Sequence, residues 1–462
     1  MTVQSEHVPT RRRVRSPRVF IGLTEVAGIF GNLEAGLREL GIDARFLDES
    51  HHAFEYQRPG LFAKVARASR TTLKRSEVSR TRSGANLWWV GSLPIRGVKA
   101  LLRCALFLRA ILRYDAFIFG GGDSLLPRNA DLPLLRRLGK RVVWVFTGSD
   151  HRPAYLDGPT VRAVGSTDVH RLALEAERVK ARVERAERYA HWIVALPPSA
   201  QFHSRPFINI LRLGIPFSAP ESSEQHPDPF RGPGVRVLHA PSDPISKGSA
   251  IIRACIDELR SAGHVIDYVE ISGRPHDEVL GALQACDFLI DQVYSDTPMA
   301  VLATEAAFFG KPTVVAGYYA DQLIEDVPPE WIPPSAFVIP GQLHMAVERM
   351  VTDPTYRKQL GDAARRYVRE RWARSAVAAR FVRVLFDDVP SDWVVDAKSV
   401  RYMLGSGLSE ERVREAVRSV IDAYGEGGLL VDHNPALRDG FRRLAQPGRR
   451  AEEAAAPDSE GP

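Results

Sequence analysis

Residues 291–315 read DQVYSDTPMAVLATEAAFFGKPTVV. This pattern predicts the end of a strand, a loop, a helix that carries one acid, a Gly-Lys-Pro turn and another buried strand. Ligands of parallel sheets bind beyond the carboxyl ends of the strands, so Glu305 is suitably placed to bind the hydroxyl groups of a sugar or ribose. Taken alone, Glu305 is better explained as a solvated helix carboxylate, and the decision between the two depends on the rest of the chain.

Strands and helices alternate on both sides of this stretch, which predicts an α/β protein with two Rossmann-like domains facing a central cleft. At 462 residues the chain is too long for one ordinary core. We expect a disordered basic arm over 1–17, an N-terminal domain over 18–204, a linker over 205–234, a C-terminal domain over 235–386, a helical extension over 387–445 and a disordered tail over 446–462.

The composition is that of a soluble globular protein, with 44% hydrophobic and 26% charged residues and a net charge of +6. The basic arm lacks the apolar run of a signal peptide. No recognition motif accompanies the positive charge, so we expect no nucleic-acid partner. Cys104, Cys255 and Cys286 stand in apolar, helical surroundings, which favours buried thiols in a reducing cytoplasm over disulfides or a zinc site.

A basic region precedes the third predicted strand. Residues 58–82 carry eight Lys and Arg residues and one acid, and a second basic and apolar helix is predicted over 98–113. Such helices can lie on an anionic membrane surface, and they can equally be solvated. Peripheral contact of 58–113 with the inner face of a membrane is therefore one expectation for a cytoplasmic protein.

Glycines and polar residues follow three strands of the N-terminal half. Gly28 and Gly31 lie where the first strand turns into a helix, and they either admit a phosphate or shape the turn. Gly122 and Asp123 follow the strand over 116–119, while Asp150 and His151 follow the strand over 141–146. Because these strand ends share one rim of the sheet, we expect an acceptor there. Asp150 or His151 would be the catalytic group, although a lone His beside Asp is more often a polar rim residue.

Three segments of the second half resemble GT-B glycosyltransferases of the family-4 type, which act on nucleotide sugars. They are HAPSDPISKG over 239–248, ISGRPHDEV over 271–279, and the stretch from Asp291 to Pro312. The resemblance covers roughly residues 235–385, and the first half is matched mainly by topology.

The resemblance implies a role for each matched residue. Lys247 would stabilise charge that develops on the β-phosphate, and Glu305 would bind the ribose hydroxyls. Backbone N–H groups at 247–249 would cradle the phosphates. The remaining donor-binding residues would be Ser242, Gly248, Arg274, Pro275, His276, Asp296 and Thr297. Members of this family usually need no divalent metal, and no Asp-x-Asp motif occurs here, so we expect neither metal nor cofactor beyond the nucleotide diphosphate sugar.

Two positions depart from the family pattern. Ser242 stands where an Arg commonly clamps the diphosphate, and a hydroxyl cannot supply a charged fork. Thr297 stands where an earlier glutamate contacts the donor sugar, with Asp296 beside it as the possible substitute. Both changes affect groups that act in the transition state.

The sequence thus supports a retaining, metal-independent hexosyltransferase-type enzyme that moves a sugar to a polysaccharide, lipid-linked or small-molecule acceptor. The alternative is a GT-B scaffold or partner subunit that binds nucleotide or glycan without turnover, which Ser242 and Thr297 favour. A glycoside hydrolase would need two carboxylates that converge on one bond. Its candidates, Asp123, Asp150 and Glu305, arise on two different domains.

Overall fold

The structure is a computed structural model that describes residues 17–49, 103–165, 168–219, 232 and 234–446. The expectations for the basic arm, for residues 58–82 and for the C-terminal tail lie outside these ranges, apart from residues 17 and 446 at their edges.

The first sheet has seven strands. They are β1 (Val19–Leu23), β2 (Ala44–Asp48), β3 (Ala116–Gly120), β4 (Arg141–Val145), β5 (Trp192–Ala195), β6 (Phe207–Asn209) and β12 (Val394–Val395). Their order across the sheet is β12-β6-β5-β4-β3-β1-β2. All neighbours pair in parallel except β12, which runs antiparallel to β6. Strands β1 and β3 are buried along their whole length, as expected for a parallel sheet covered on both faces.

The second sheet has five parallel strands in the order β11-β10-β9-β7-β8. They are β7 (Val235–His239), β8 (Ile266–Glu270), β9 (Phe288–Ile290), β10 (Thr313–Ala316) and β11 (Ala336–Val338). The predicted fold class, α/β with two Rossmann-like domains, is confirmed by these two sheets.

Helices cover both sheets. Those of the first half are α1 (Ile29–Glu39), α2 (103–113), α3 (Leu132–Arg137), α4 (Gly158–Val164), α5 (Val169–Tyr189) and α6 (Ile210–Leu213). Those of the second half are α7 (Ser249–Ser261), α8 (His276–Ala285), α9 (Val301–Phe308), α10 (Ala320–Asp326), α11 (Leu343–Thr352), α12 (Pro354–Arg371), α13 (Arg374–Leu385), α14 (Glu410–Tyr424) and α15 (Pro435–Ala445).

The last part of the chain returns to the first sheet. Helix α13 buries Val377 and Phe381 in the same core as Leu33 and Leu37 of α1. On the other face of that sheet, the core includes residues of α14 and α15, and the Tyr155 hydroxyl donates to the carbonyl of Leu429 over 2.8 Å. The helical extension therefore completes the N-terminal unit, and α13, which we assigned to the C-terminal unit, packs on the N-terminal one.

The expected linker over 205–234 begins too early. Residues 207–213 form β6 and α6, and β6 pairs with β5 inside the first sheet. Three residues of strand and four of helix are too short to show a hydrophobic period, so the sequence pattern did not reveal them. The expectation for the cysteines is also wrong in part, because Cys104 is exposed while Cys255 and Cys286 are buried.

Candidate functional site

A cavity of about 270 Å³ opens at the carboxyl edge of the second sheet. Its lining includes five of the residues singled out in the sequence, which come from three separate segments: Ser242, Lys247, Arg274, His276 and Glu305. The sheet positions them, because β7, β8 and β9 end at this edge and the loops that follow them carry these side chains.

Lys247 is fixed by the end of β9. Its Nζ donates to the side-chain oxygen of Gln292 and lies 4.0 Å from Oδ1 of Asp291. The Gln292 amide nitrogen in turn donates to the Ser295 hydroxyl over 2.6 Å. Since only 23% of the Lys247 side chain is exposed, its charge acts where solvent screens it less than at an open surface.

The turn before α7 needs a glycine but does not offer a phosphate cradle. Gly248 has a φ of +71°, and a Cβ there would lie 2.8 Å from Cβ of Val293. The backbone N–H groups of Lys247, Gly248 and Ser249 donate to carbonyls within the same loop, over 2.9–3.1 Å. The expectation that these amides cradle the phosphates is therefore wrong, because the loop satisfies them internally.

The start of α9 also lies at this cavity. Ala300, Val301 and Leu302 line the cavity, and α9 begins at Val301. The first amides of a helix have no carbonyl one turn earlier to which they can donate, and the helix dipole is positive at this end. This anion-binding geometry was missed in the sequence, where an apolar Met-Ala-Val-Leu run gives no polar signal.

Glu305 and His276 form a pair across the cavity wall. His276 Nε2 lies 3.1 Å from Oε1 of Glu305, and that carboxylate is only 7% exposed. The hydrogen bond to Glu305 raises the pKa of His276 above its usual value, although partial burial opposes it. Glu305 is thus a buried carboxylate with a specific partner, and the explanation as a solvated helix acid is wrong.

Asp296 does not face the cavity. Its carboxylate forms a buried ion pair with Arg152 of the N-terminal unit, and Arg152 also donates to Asp157 over 2.9 Å. The Thr297 backbone bonds to the Ser295 hydroxyl through both its N–H and its carbonyl. Neither residue lines the cavity. Of the two alternatives, a substitution by Asp296 for the sugar-binding glutamate or a loss of that sugar contact, the structure favours the loss, because a cation from the other unit engages the Asp296 carboxylate.

His151 points into the core, and Asp150 is half-buried in the loop after β4. The Asp150 carboxylate accepts from the backbone N–H groups of Thr147 and Gly148, which closes its own loop. His151 is fully buried against Phe146, with one ring nitrogen 3.0 Å from the Ser199 hydroxyl. The expectation that His151 faces an acceptor is therefore wrong, because its ring is fully buried, whereas a catalytic role of Asp150 stays a prediction.

A buried polar chain explains His151. Its Nδ1 lies 3.0 Å from Nε2 of His203, whose Nδ1 lies 3.0 Å from the Glu187 carboxylate. Burial lowers the pKa of His151 well below its usual value, and the neighbouring His203 and Arg152 act in the same direction. The sequence correctly placed His151 after the fourth strand of the sheet. It could not show that the ring points into the core.

The first glycine loop is closed by a carboxylate. Glu25, which is 4% exposed, accepts from the backbone N–H groups of Val26, Phe30 and Gly31 over 2.8–3.1 Å. Gly28, with a φ of +82°, makes the turn into α1. Of the two interpretations of Gly28 and Gly31, the structure favours turn formation, because Glu25 holds the amides that a phosphate would need.

The second glycine loop also serves packing. Gly122 has a φ of +88°, and a Cβ there would lie 2.7 Å from Nε of Arg182. Its neighbour Asp123 is exposed. Neither residue lines the cavity, so the structure does not bring the N-terminal candidates together with the C-terminal ones.

A segment of the C-terminal extension lies between the two units. The Gly158 N–H donates to the Ser406 carbonyl over 2.9 Å, and the Gly407 N–H donates to the Tyr294 carbonyl over 2.9 Å. A Cβ on Gly405 would lie only 2.0 Å from the carbonyl oxygen of Leu156. Residues 405–407 therefore contact the N-terminal unit on one side and the loop after β9 on the other.

Within the described ranges, no group of three or more His, Cys, Asp or Glu side chains lies close enough together to hold a metal ion. No helix there combines the length and apolar character needed to cross a bilayer.

Comparison with known proteins gives structural resemblances alone. No family model matches the chain, and no curated protein matches it. Similar solved structures include the catalytic domain of starch synthase IV from Arabidopsis thaliana bound to ADP and acarbose, at 10% identity and a TM-score of 0.45, over 80% of this chain and 99% of that one. Anabaena HepE in complex with UDP-glucose shows 13% identity and a TM-score of 0.43, over 81% and 100%. The glycosyltransferase SnogD from Streptomyces nogalater shows 14% and 0.37, over 80% and 100%.

TM-scores below 0.5 define no substrate for this chain. Its own geometry, two Rossmann-like units with a cavity at the carboxyl edge of the second, is the arrangement of the GT-B fold.

Proposed function

We propose that this protein is a retaining, metal-independent glycosyltransferase of the family-4 type that uses a nucleotide diphosphate sugar. One observation carries the proposal: Lys247, Glu305, His276 and the start of α9 converge on a single cavity. The cavity thus combines a cation and free helix amides for phosphates with a carboxylate for ribose hydroxyls.

Each group has a distinct task in this proposal. The bond between the anomeric carbon and the β-phosphate oxygen breaks, and Lys247 stabilises the negative charge that develops on that oxygen. The acceptor hydroxyl forms the new glycosidic bond on the same face, and its proton passes to the departing phosphate. Glu305 binds the ribose, with His276 holding its carboxylate in place, and Arg274 lies at the base end. Gly248 and Pro275 shape the turns that carry these side chains.

The activity is tested with a panel of nucleotide sugars. We expect one of them to be consumed, with release of the nucleoside diphosphate, and to raise the melting temperature of the protein because it binds only the folded state. Glu305→Ala is expected to weaken donor binding far more than Glu258→Ala, which removes an exposed carboxylate of α7 outside the cavity. Equal affinities of these two variants would contradict the role of Glu305.

We further propose a cytoplasmic location with peripheral contact to a membrane, where a lipid-linked or polysaccharide acceptor would be met. Helix α2 supports this, because Leu108 and Leu112 are 56% and 80% exposed, four residues apart, with Arg109 and Arg113 beside them. Apolar side chains flanked by Arg suit an anionic lipid surface. Leu108→Ser with Leu112→Ser should abolish sedimentation with vesicles of anionic phospholipid, and unchanged sedimentation would contradict the contact.

A second candidate function is a partner subunit that binds nucleotide without turnover. It is favoured by the ion pair that removes Asp296 from the cavity and by Ser242 in place of an Arg. The two functions differ in one result, since only the enzyme releases a nucleoside diphosphate from its donor. Ser242→Arg should then raise turnover if the diphosphate lies beside Lys247, and no gain would count against that placement.

A further inference from the structure

The cavity contains a second buried carboxylate, Asp291, that matches none of the roles assigned so far. Asp291 is the first residue after β9, lines the same cavity as Lys247 and is 2% exposed. Its Oδ2 has no hydrogen-bond partner among the described residues, and its Oδ1 lies 4.0 Å from Nζ of Lys247. A buried carboxylate without full hydrogen bonding is costly, so the position of Asp291 beside Lys247 needs an explanation.

The surroundings of Asp291 show which group it acts on. Lys247 Nζ donates a hydrogen bond to the Gln292 oxygen and is attracted by the Asp291 carboxylate. The ring of His239, nearby on β7, already bonds to Ser249 and to the Ile290 carbonyl. The negative charge of Asp291 therefore has the Lys247 ammonium as its nearest cation in this part of the structure.

We propose that Asp291 is a positioning residue, which holds the Lys247 ammonium in place for the transition state and weakens its attraction for the diphosphate product. A lysine beside a buried carboxylate keeps a fixed position but presents less net charge to a ground-state anion. The consequence is a faster release of nucleoside diphosphate after transfer. This inference rests on the proposed function, since it deepens the role of the same cavity.

Asp291→Asn tests the inference, because it removes the charge while keeping the shape of the side chain. We expect the nucleoside diphosphate to bind roughly tenfold more tightly, because the substitution removes one negative charge from a poorly solvated site near the diphosphate. We also expect kcat to fall roughly tenfold, because the Lys247 ammonium is no longer held in place. A purely structural role would weaken binding instead. Asp287→Asn, at the amino end of β9, is the matched control and should change neither quantity.

The same substitution in a Lys247→Ala background shows whether Asp291 acts through Lys247. In that background we expect Asp291→Asn to cause no tighter binding of the nucleoside diphosphate, because Lys247, which mediates the effect, is gone.

The affinities are measured calorimetrically with uridine, adenosine and guanosine diphosphates. Asp291→Ala provides a second variant if Asp291→Asn unfolds the protein. The inference is overturned if the Asp291 variants bind the nucleoside diphosphate no more tightly than wild type. It is also overturned if the Asp291 substitution tightens binding equally in the Lys247→Ala background. If wild-type protein binds none of the three, the proposed function fails and this inference falls with it; if wild type binds and only the Asp291 result fails, the proposed function stands.

Discussion

Arg152 of the N-terminal unit and Asp296 of the C-terminal unit form a buried ion pair, which joins the two units beside the loop that follows β9. The Asp296 loop is connected to the cavity, because Ser295 bonds to Gln292 and Gln292 accepts from Lys247. Contact between the units and the position of Lys247 therefore depend on neighbouring residues of one loop, Asp296 and Ser295.

Asp296→Asn should destabilise the protein by about 3 kcal/mol, because breaking a buried pair leaves the Arg152 charge with only Asp157 as a partner. Urea unfolding measures the loss. Asp362→Asn removes one partner of an exposed helix pair and should have little effect. Similar stabilities for the two variants would show that the Arg152–Asp296 pair does not hold the units together.

His151→Gln should lower the stability by about 1–3 kcal/mol, since it disturbs buried hydrogen bonds to Ser199 and His203. The rate of sugar transfer per folded molecule should not change, because the ring does not reach the cavity. Thermal unfolding and initial rates are measured on the same samples. A normal melting temperature with a rate reduced a hundredfold or more would restore His151 as a catalytic base.

Glu187→Gln should reduce stability in a pH-dependent way. Burial alone would raise the pKa of Glu187, but hydrogen bonds from His203 and Ser204 lower it to about 2. A depressed folded-state pKa stabilises the protein above the unfolded value of 4.5, and that stabilisation is lost as pH falls toward 2. The variant should therefore be about 3 kcal/mol less stable at pH 6, and the difference should shrink by pH 3. Glu184→Gln, exposed on the same helix, should show no such trend.

Gly405→Ala should loosen the segment between the two units, because its Cβ would collide with the carbonyl oxygen of Leu156. We expect a loss of about 1–3 kcal/mol and faster proteolysis within residues 400–410. At Gly341 a Cβ would meet nothing within 4 Å, so Gly341→Ala is the matched control. If Gly405→Ala behaves like Gly341→Ala, residues 405–407 do not pack as tightly as the structure indicates.

The sequence predicted site residues that are marked by their near neighbours in the chain. It did not predict contacts between residues that are far apart in the chain. Lys247, His276 and Glu305 each follow a strand with a recognisable pattern, so the shared edge of the sheet could be predicted for all three. The Arg152–Asp296 pair joins residues 144 positions apart, and neither position carries a local signal for the other. The directions of the His151 ring and of Asp150 are set by packing. Glu25 stands before Gly28 and Gly31, and no sequence pattern marks it as the acceptor for the amides of that loop.

Calorimetric titration of wild type and Lys247→Ala with uridine, adenosine and guanosine diphosphates tests the central claim most directly, namely that this cavity binds the diphosphate of a nucleotide sugar. We predict that wild type binds at least one of them, that Lys247→Ala remains folded but loses roughly tenfold or more in affinity, and that Lys358→Ala, on an exposed helix face, binds like wild type. Wild-type protein that binds none of the three, or that binds equally well without Lys247, would contradict the claim.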